Sequence, residues 1–238
     1  MHCQSKITCA RACLKTTMQK MLFLMTVVLI ISVANAGTSI THQRSKKNNM
    51  NQCLDNPCQN GGTFTQKNGC FTCTCTDGYA GAHCNEVVSN LALNKPAKQS
   101  STYTWGGVTY SSNLAVDGNN GTDFVEDKCS CTATGENSPW WRVDLQAVYF
   151  IKSVRIFNRG MDQYGIDTSD RLWNVTVTVG LTESDVNTPC GFFAGPGTLS
   201  QLVVDVDCMF VPKGRFVKIA KTTEFLTLCE VEVFGYSA

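Results

Sequence analysis

The sequence predicts an all-β chain stapled by disulfides and built in two parts. Three observations carry that prediction. Cys53, Cys58, Cys70, Cys73, Cys75 and Cys84 fall within 32 residues, and so short a stretch buries too little surface for an ordinary core. From Asn90 onward, apolar and polar residues alternate along one segment after another, the pattern of half-buried strands. No long apolar stripe of period 3.6 interrupts them.

The chain opens with Lys6, Arg11, Lys15 and Lys20, then an uncharged apolar run from Met21 to Val33, then Ala34-Asn35-Ala36 before Gly37. That order predicts a signal peptide over residues 1–36. The run is shorter than the roughly 20 residues of a comfortable membrane span; a type II anchor is the alternative. No later segment is long and apolar enough to span, so no membrane span is expected in the mature chain. Residues 37–52 are polar and basic and read as a flexible leader. Fourteen Cys against three His point to disulfides in an oxidising compartment rather than metal or redox chemistry, so the protein is expected to be secreted and extracellular. A net charge of +1 with no basic stripe beyond the N-terminal segment argues against a nucleic-acid partner.

Residues 53–84 come next. Bridges would replace a core there, and Asn60-Gly61-Gly62 and Asp77-Gly78-Tyr79-Ala80-Gly81 supply turns between short strands. Cys58-x-Asn60-Gly61-Gly62, Phe71-x-Cys73-x-Cys75 and Cys75-x-x-Gly78-Tyr79-x-Gly81-x-x-Cys84 resemble the EGF family. The resemblance implies bridges Cys53–Cys70, Cys58–Cys73 and Cys75–Cys84. The family's third Cys usually follows the double glycine directly, where this chain has Thr63-Phe64, so Cys70 must serve. Asn51-Gln52 lacks the acidic pair of calcium-binding EGF modules, and no metal is expected there. The module is either a rigid spacer or a receptor-type ligand.

In residues 90–238, Trp173, Val175, Val177 and Val179 alternate with Asn174, Thr176 and Thr178. Val217 and Ile219 alternate with Arg215, Lys218 and Lys221, and Val231 and Val233 with Glu230 and Glu232. Gly, Pro, Asn and Asp clusters separate these runs. An antiparallel β-sandwich follows, and 149 residues suffice for one core. Trp140 and Trp141 are adjacent, so at most one reaches the surface of a strand; packing is the expected role. Two sequons occur, Asn120-Gly121-Thr122 and Asn174-Val175-Thr176. Alternation puts Asn174 on the exposed face, making it the better glycosylation site.

Asn90-Leu-Ala-Leu-Asn94-Lys-Pro-Ala97, Ala115-Val-Asp117-Gly-Asn119, Pro139-Trp-Trp-Arg-Val-Asp144-Leu145, Asn158-Arg-Gly160 and Leu228-Cys-Glu-Val-Glu-Val233 resemble the fucolectin family. These are fucose-binding lectins with a jelly-roll sandwich related to discoidin domains. The resemblance runs from about Asn90 to Phe234 in the family's order. It implies a calcium (Ca2+) ion held by the carbonyls of Leu114, Asn119 and Cys229, the carbonyl and hydroxyl of Ser130, and the carboxylates of Asp117 and Glu230. That set suits a cation wanting six to eight hard oxygens. Without an ion, Asp117-Gly118-Asn119 would be an ordinary turn. The resemblance also implies bridges Cys131–Cys229 and Cys190–Cys208. The first would clamp both ends of the calcium site and close a loop of about 100 residues, worth roughly 4–5 kcal/mol. Cys129 is then left over, either free or linking two chains.

For the sugar, the resemblance implies Arg159 and Arg171 as hydrogen-bond donors and Asp162 as the acid that orients one of them. The family's His is absent; its place falls near Ala133 or Thr134, and no His follows His83. Its adjacent Cys pair is absent too, with Gln163 and Tyr164 in that region. Thr134 could recover a donor, and Tyr164 could offer an aromatic face. One lost donor costs on the order of 1–3 kcal/mol, or about tenfold to a hundredfold in affinity.

The leading functional expectation is a calcium-dependent lectin for fucose or a related terminal sugar, in innate defence or adhesion, with fucosylated glycans as partners. Homo-oligomerisation would compensate for weak single sites. The alternative is a protein–protein adhesion module on a degenerate lectin fold. An enzyme is not expected. Asp144 and Glu230 are the tempting acids for a glycosidase, but strand-end hydrogen bonding and calcium account for them, and a Ser-His-Asp triad needs a His the domain lacks.

Overall fold

The computed structural model describes residues 56–67 and 70–238, and the chain divides into two compact units between Asn85 and Glu86. The expected signal peptide and leader lie outside the described residues. So do Cys53 and the side chain of Cys70, and with them the expected Cys53–Cys70 bridge.

In the first unit, β1 (Thr63–Lys67) pairs antiparallel with β2 (Cys70–Thr74), and β3 (Tyr79–Ala80) follows. Disulfides Cys58–Cys73 and Cys75–Cys84 hold it. Asn60, at φ 50°, and Gly61, at φ 75°, make the turn, and the Asn60 side chain donates to the Cys84 carbonyl at 2.8 Å. A Cβ at Gly62 would sit 2.8 Å from Cys84 Sγ, so only glycine lets the chain pass the bridge there.

The second unit opens with β4 (Glu86–Val87), β5 (Ser89–Asn90) and β6 (Ala97–Gln99), then a hairpin of β7 (Thr104–Trp105) and β8 (Val108–Thr109). A 3-10 turn (Ser112–Ala115) and β9 (Ser130–Cys131) lead to β10 (Trp140–Phe157), the 18-residue strand on which the domain is organised. A second 3-10 turn (Ser169–Arg171) precedes β11 (Val175–Gly180), β12 (Thr188–Phe193), β13 (Val203–Asp207), β14 (Lys213–Ala220), β15 (Thr227–Leu228) and β16 (Glu230–Ser237). Strands β5–β16 pair antiparallel. The first half of β10 lies between β14 and β6, and its last residues, Ser153–Phe157, lie between β13 and β16.

Two irregularities let one strand serve both neighbourhoods. Trp141, Val143 and Leu145 face the core in strict alternation; the register then shifts between Asp144 and Tyr149, with Gln146 at φ 65°. A second shift, between Ile151 and Ser153, changes the parity so that Ile151, Val154 and Ile156 are all buried. Val175, Val177, Val179, Val217, Ile219, Val231 and Val233 complete the core. Trp141 is buried with its indole N–H donating to the Ser112 carbonyl at 2.9 Å, while Trp140 is half-buried.

Three expectations need correction. Trp173 is 40% exposed, because β11 starts at Val175 and Asn174, half-buried at φ 50°, breaks the alternation. Asn120, by contrast, is exposed. Lys221 is not on a solvated face but 4% exposed, since it follows the end of β14. Finally, Cys131–Cys229 does not form. Cys131 lies opposite Thr227 and Ser130 opposite Leu228; one step further, Cys129 meets Cys229 and bonds to it across 100 residues. Residues 129 and 131 share one side of the strand, so alternation cannot choose between them; the register does. Cys131 is left as a buried free thiol, its Sγ 3.4 Å from Thr227 Oγ1.

Candidate functional site

β10 ends at Phe157, and the next three residues are fixed by buried hydrogen bonds. The Asn158 N–H donates to the Leu202 carbonyl (2.7 Å) and its side-chain amide to the Ser169 carbonyl (2.8 Å). The Gly160 N–H donates to the Thr122 carbonyl (3.0 Å), and its own carbonyl accepts from the Thr168 hydroxyl (2.5 Å) and N–H (3.3 Å). Arg159 is therefore held from both sides. The same contacts tie it to the 3-10 turn that carries Arg171, where Asp167 Oδ1 accepts from the Ser169 N–H (2.8 Å) and hydroxyl (2.6 Å). A Cβ at Gly197 would meet Asn158 Nδ2 at 2.6 Å, so this brace also requires a glycine facing it.

Arg159 and Arg171 converge on a cavity of about 230 Å³. Arg159 is 9% exposed, its guanidinium 4.2 Å above the ring of Phe124, which in turn stacks on Tyr110 at 4.2 Å. Its Nε is buried without a hydrogen-bond partner among the described residues. Burial, and next the charge of Arg171, push its pKa below the usual arginine range. Arg171 lies 5.3 Å from the ring of Phe225. Among the described residues, neither guanidinium has a carboxylate within ion-pair distance. Two cations held at a cavity with no carboxylate in direct contact are donors awaiting an acceptor-rich guest.

Thr134, Asp162 and Gln163 also line the cavity. Asp162 does not grip an arginine: its Oδ1 accepts from the N–H groups of Tyr164 and Ile166, both at 2.9 Å, and so builds its own loop. Its charge acts on Arg159 through space. Tyr164 is 76% exposed and does not line the cavity. The aromatic walls come instead from Tyr103, Trp105, Phe124 and Phe225. Trp105 is 47% exposed and sits on the β7–β8 hairpin, whose turn is Gly106-Gly107 with both φ positive. That double glycine between short alternating runs was a legible hairpin signal. Phe225, by contrast, stands alone in a Thr222-Thr223-Glu224 loop, and no local pattern marks it.

The expected calcium ligands sit beside the Cys129–Cys229 bridge. Glu230 is 2% exposed; its Oε1 accepts from the Gly118 N–H at 3.2 Å, and its Oε2 is buried without a hydrogen-bond partner among the described residues. Burial, then the charge of Asp117, raise its pKa to about 7. Asp117 is exposed, with Oδ1 accepting from the Asn119 N–H at 2.9 Å. Ser130 is buried and donates its hydroxyl to Gln99 Oε1 at 2.6 Å. Leu114 is half-buried in the first 3-10 turn. Among the described residues no group of three or more His, Cys, Asp or Glu gathers for a metal. Two repelling carboxylates, one with an orphaned buried oxygen, are nevertheless what a hard cation with carbonyl ligands relieves. The residues fit.

Residues 114–219 match the family described as NedA-like, galactose-binding domain. Fucolectin-5 of Anguilla japonica is 38% identical over 148 residues, covering 60% of this chain and 75% of that protein. The chain belongs to the fucolectin family. Among solved structures, the serum f-lectin of Morone saxatilis is 33% identical at a TM-score of 0.53, covering 63% of this chain and 50% of that one. The lectin domain of lectinolysin, solved with Lewis B antigen, is 31% identical at a TM-score of 0.51, covering 63% of this chain and 98% of that one. These relatives are lectins and carbohydrate-binding modules, not enzymes. In this fucolectin the tempting acid Asp144 is bound by Arg215, Nε to Oδ1 at 2.6 Å and Nη2 to Oδ2 at 2.7 Å, a structural pair that pulls its pKa down. Among the described residues no helix is long and apolar enough to cross a membrane.

Proposed function

We propose that this fucolectin is a secreted lectin that binds fucose, or a related terminal deoxysugar, in the Arg159–Arg171 cavity. The observation that carries the reading is Arg159, buried over Phe124 with its Nε unpartnered and Arg171 at the same cavity. A neutral sugar supplies ring and hydroxyl oxygens that accept from both guanidinium groups without demanding a full counter-charge. The aromatic walls cover the sugar's C–H face. The Morone saxatilis protein is named an f-lectin from serum, and the lectinolysin domain holds a Lewis B antigen; both support a glycan with terminal fucose as partner here.

Calcium would be held by Asp117, Glu230 and Ser130 with the carbonyls of Leu114, Asn119 and Cys229. It would neutralise the two acids and stiffen the loop that begins at Asp117. The protein's own residues do the recognition: Phe124 seats Arg159, and the Thr168 and Asn158 braces hold the two arginines in register. That rigidity lowers the ordering cost of binding. An EGF-like module over residues 53–84 would space or present the lectin, association of several chains would add avidity, and the sequon at Asn174 would carry a glycan. Adhesion to a protein through a degenerate pocket is the second reading, favoured by the absence of the family's His, whose place falls near Ala133 or Thr134.

A glycan array probed with and without chelator tests the proposal. Retention on fucosylated glycans, lost in Arg159→Ala and Arg171→Ala and competed by free fucose, supports it. Binding that survives both substitutions, or no glycan bound, refutes it.

A further inference from the structure

We infer that Lys221 is a positioning residue of the sugar cavity: its ammonium ties the main-chain carbonyls of Arg171 and Phe225 to one point. This rests on the fucose reading above and extends it to the regulation of the same site. Lys221 Nζ donates to the Arg171 carbonyl at 2.6 Å and to the Phe225 carbonyl at 3.2 Å. Those two residues belong to segments 50 residues or more apart in sequence, the second 3-10 turn and the loop after β14, yet both side chains line the cavity. The backbone of Lys221 is itself anchored, its N–H donating to the Pro139 carbonyl at 3.1 Å. The tether thus joins the second guanidinium to the aromatic wall beside it.

The arrangement is electrostatically uncomfortable, which is why it points to function. Lys221 is 4% exposed and has no carboxylate within ion-pair distance among the described residues. Asp170 and Arg171 on the 3-10 turn and Glu224 in its own loop are the charged side chains of the segments it joins, and Pro139 brings none; of these only Arg171 acts on it, and by repulsion. An apolar side chain would fill the space at lower cost. Burial and Arg171 bring its pKa down to about 8, against an ordinary 10.5.

The sign of the pH effect follows. Below about pH 8 the amine is charged, and its hydrogen bonds to the two carbonyls are charge-assisted. As pH rises through that value the tether weakens, and the sugar should be held less firmly. The unfolded chain keeps its proton up to about 10.5, so between these values the unfolded state binds more protons and folding stability rises with pH. Sugar affinity and stability therefore move in opposite directions, which a purely structural lysine would not produce.

The test compares the full chain with Lys221→Met by calorimetric titration with fucose from pH 7 to 9.5, in constant calcium. A second, ligand-free readout is hydrogen exchange of residues 168–172 and 222–226. Expected results are a threefold to tenfold loss of wild-type affinity across that range, about tenfold weaker and pH-flat binding in Lys221→Met, and at least threefold faster exchange of both segments in the variant. Wild-type affinity that is flat with pH, with a variant within twofold of it, overturns the inference. If the wild type binds no fucose at all, the sugar reading falls, and exchange alone decides Lys221: unchanged protection in the variant overturns its positioning role.

Discussion

Arg159→Met separates a residue kept for binding from one kept for folding. In the folded protein Arg159 is 9% exposed, and its Nε has no hydrogen-bond partner among the described residues. Leaving a buried donor unsatisfied costs about 1–3 kcal/mol, which the substitution relieves. Against that stands the loss of the guanidinium lying 4.2 Å over Phe124, worth about 0.5–2 kcal/mol, part of which the Met side chain retains by packing on the same ring. The net is a gain of about 1 kcal/mol, or roughly 2–4 °C in Tm for a domain of this size. Binding should move the other way. Two charge-assisted hydrogen bonds to a sugar, at about 1.5–3 kcal/mol each, amount to a loss of about a hundredfold to ten-thousandfold. Differential scanning calorimetry and fucose titration on the same preparation read both. A variant that melts more than about 5 °C lower, or that still binds at wild-type affinity, would refute the assignment of Arg159 as a donor held in reserve for ligand.

Four further outcomes follow from the geometry. Chelation should lower Tm by about 5–11 °C if calcium is present at a hundredfold its Kd, since that occupancy is worth about 2.7 kcal/mol; Glu230→Gln should melt at one temperature with or without calcium. Cys129→Ser should lose about 4–5 kcal/mol in denaturant unfolding for its 100-residue loop, whereas Cys131→Ser should leave stability nearly unchanged; the reverse ranking would move the bridge to Cys131. Of the four Trp, only Trp105 lines the cavity, so a fucose-induced change in tryptophan fluorescence should vanish in Trp105→Phe and persist in Trp173→Phe. Asp144 has its pKa depressed by Arg215, so its stabilising contribution is present above the ordinary carboxylate range and fades as pH falls through the lower folded value; Asp144→Asn should flatten that acid limb in urea titrations and leave sugar binding intact.

Much of the sandwich could be read from one-dimensional pattern. Val175, Val177 and Val179 are buried on β11 and Val231 and Val233 on β16, as period two requires. Pattern failed where a strand stopped or slipped. Trp173 continues the apolar series by sequence, but Asn174 takes a left-handed conformation and ends it. The long run Trp140–Phe157 hides two register shifts that alternation alone would deny, because a bulge exchanges inside for outside within one residue. The disulfide partner of Cys229 was ambiguous for the same reason. Cys129 and Cys131 obey the same parity, and only the pairing of β9 with β15 distinguishes them.

The site divides along a similar line. Residues inside a motif shared with the fucolectins, such as Arg159 in Asn-Arg-Gly or Glu230 in Leu-Cys-Glu-Val-Glu-Val, could be picked out by that resemblance, whereas alternation alone reads Glu230 as a polar partner of Val231 and Val233. Residues recruited for their shape could not. Phe124, Phe225 and Tyr103 look like ordinary apolar positions, and the cavity wall they form exists only once three separate loops meet. Lys221 is the instructive middle case. By sequence it is one more lysine trailing a strand with Lys218, which calls for solvent. In the fold it follows the last pairing of β14, where the chain turns inward, and its four-carbon stem carries the ammonium to the carbonyls of Arg171 and Phe225. A side chain long enough to cross from one loop to another takes its meaning from the far end, and the far end here lies 50 residues away. The physical economy of the site lies in that reach. The two arginines are held at their backbones by Thr168, Asn158 and Lys221 and lie against the rings of Phe124 and Phe225, which leaves their guanidinium groups without a carboxylate in ion-pair contact among the described residues and able to bond a guest.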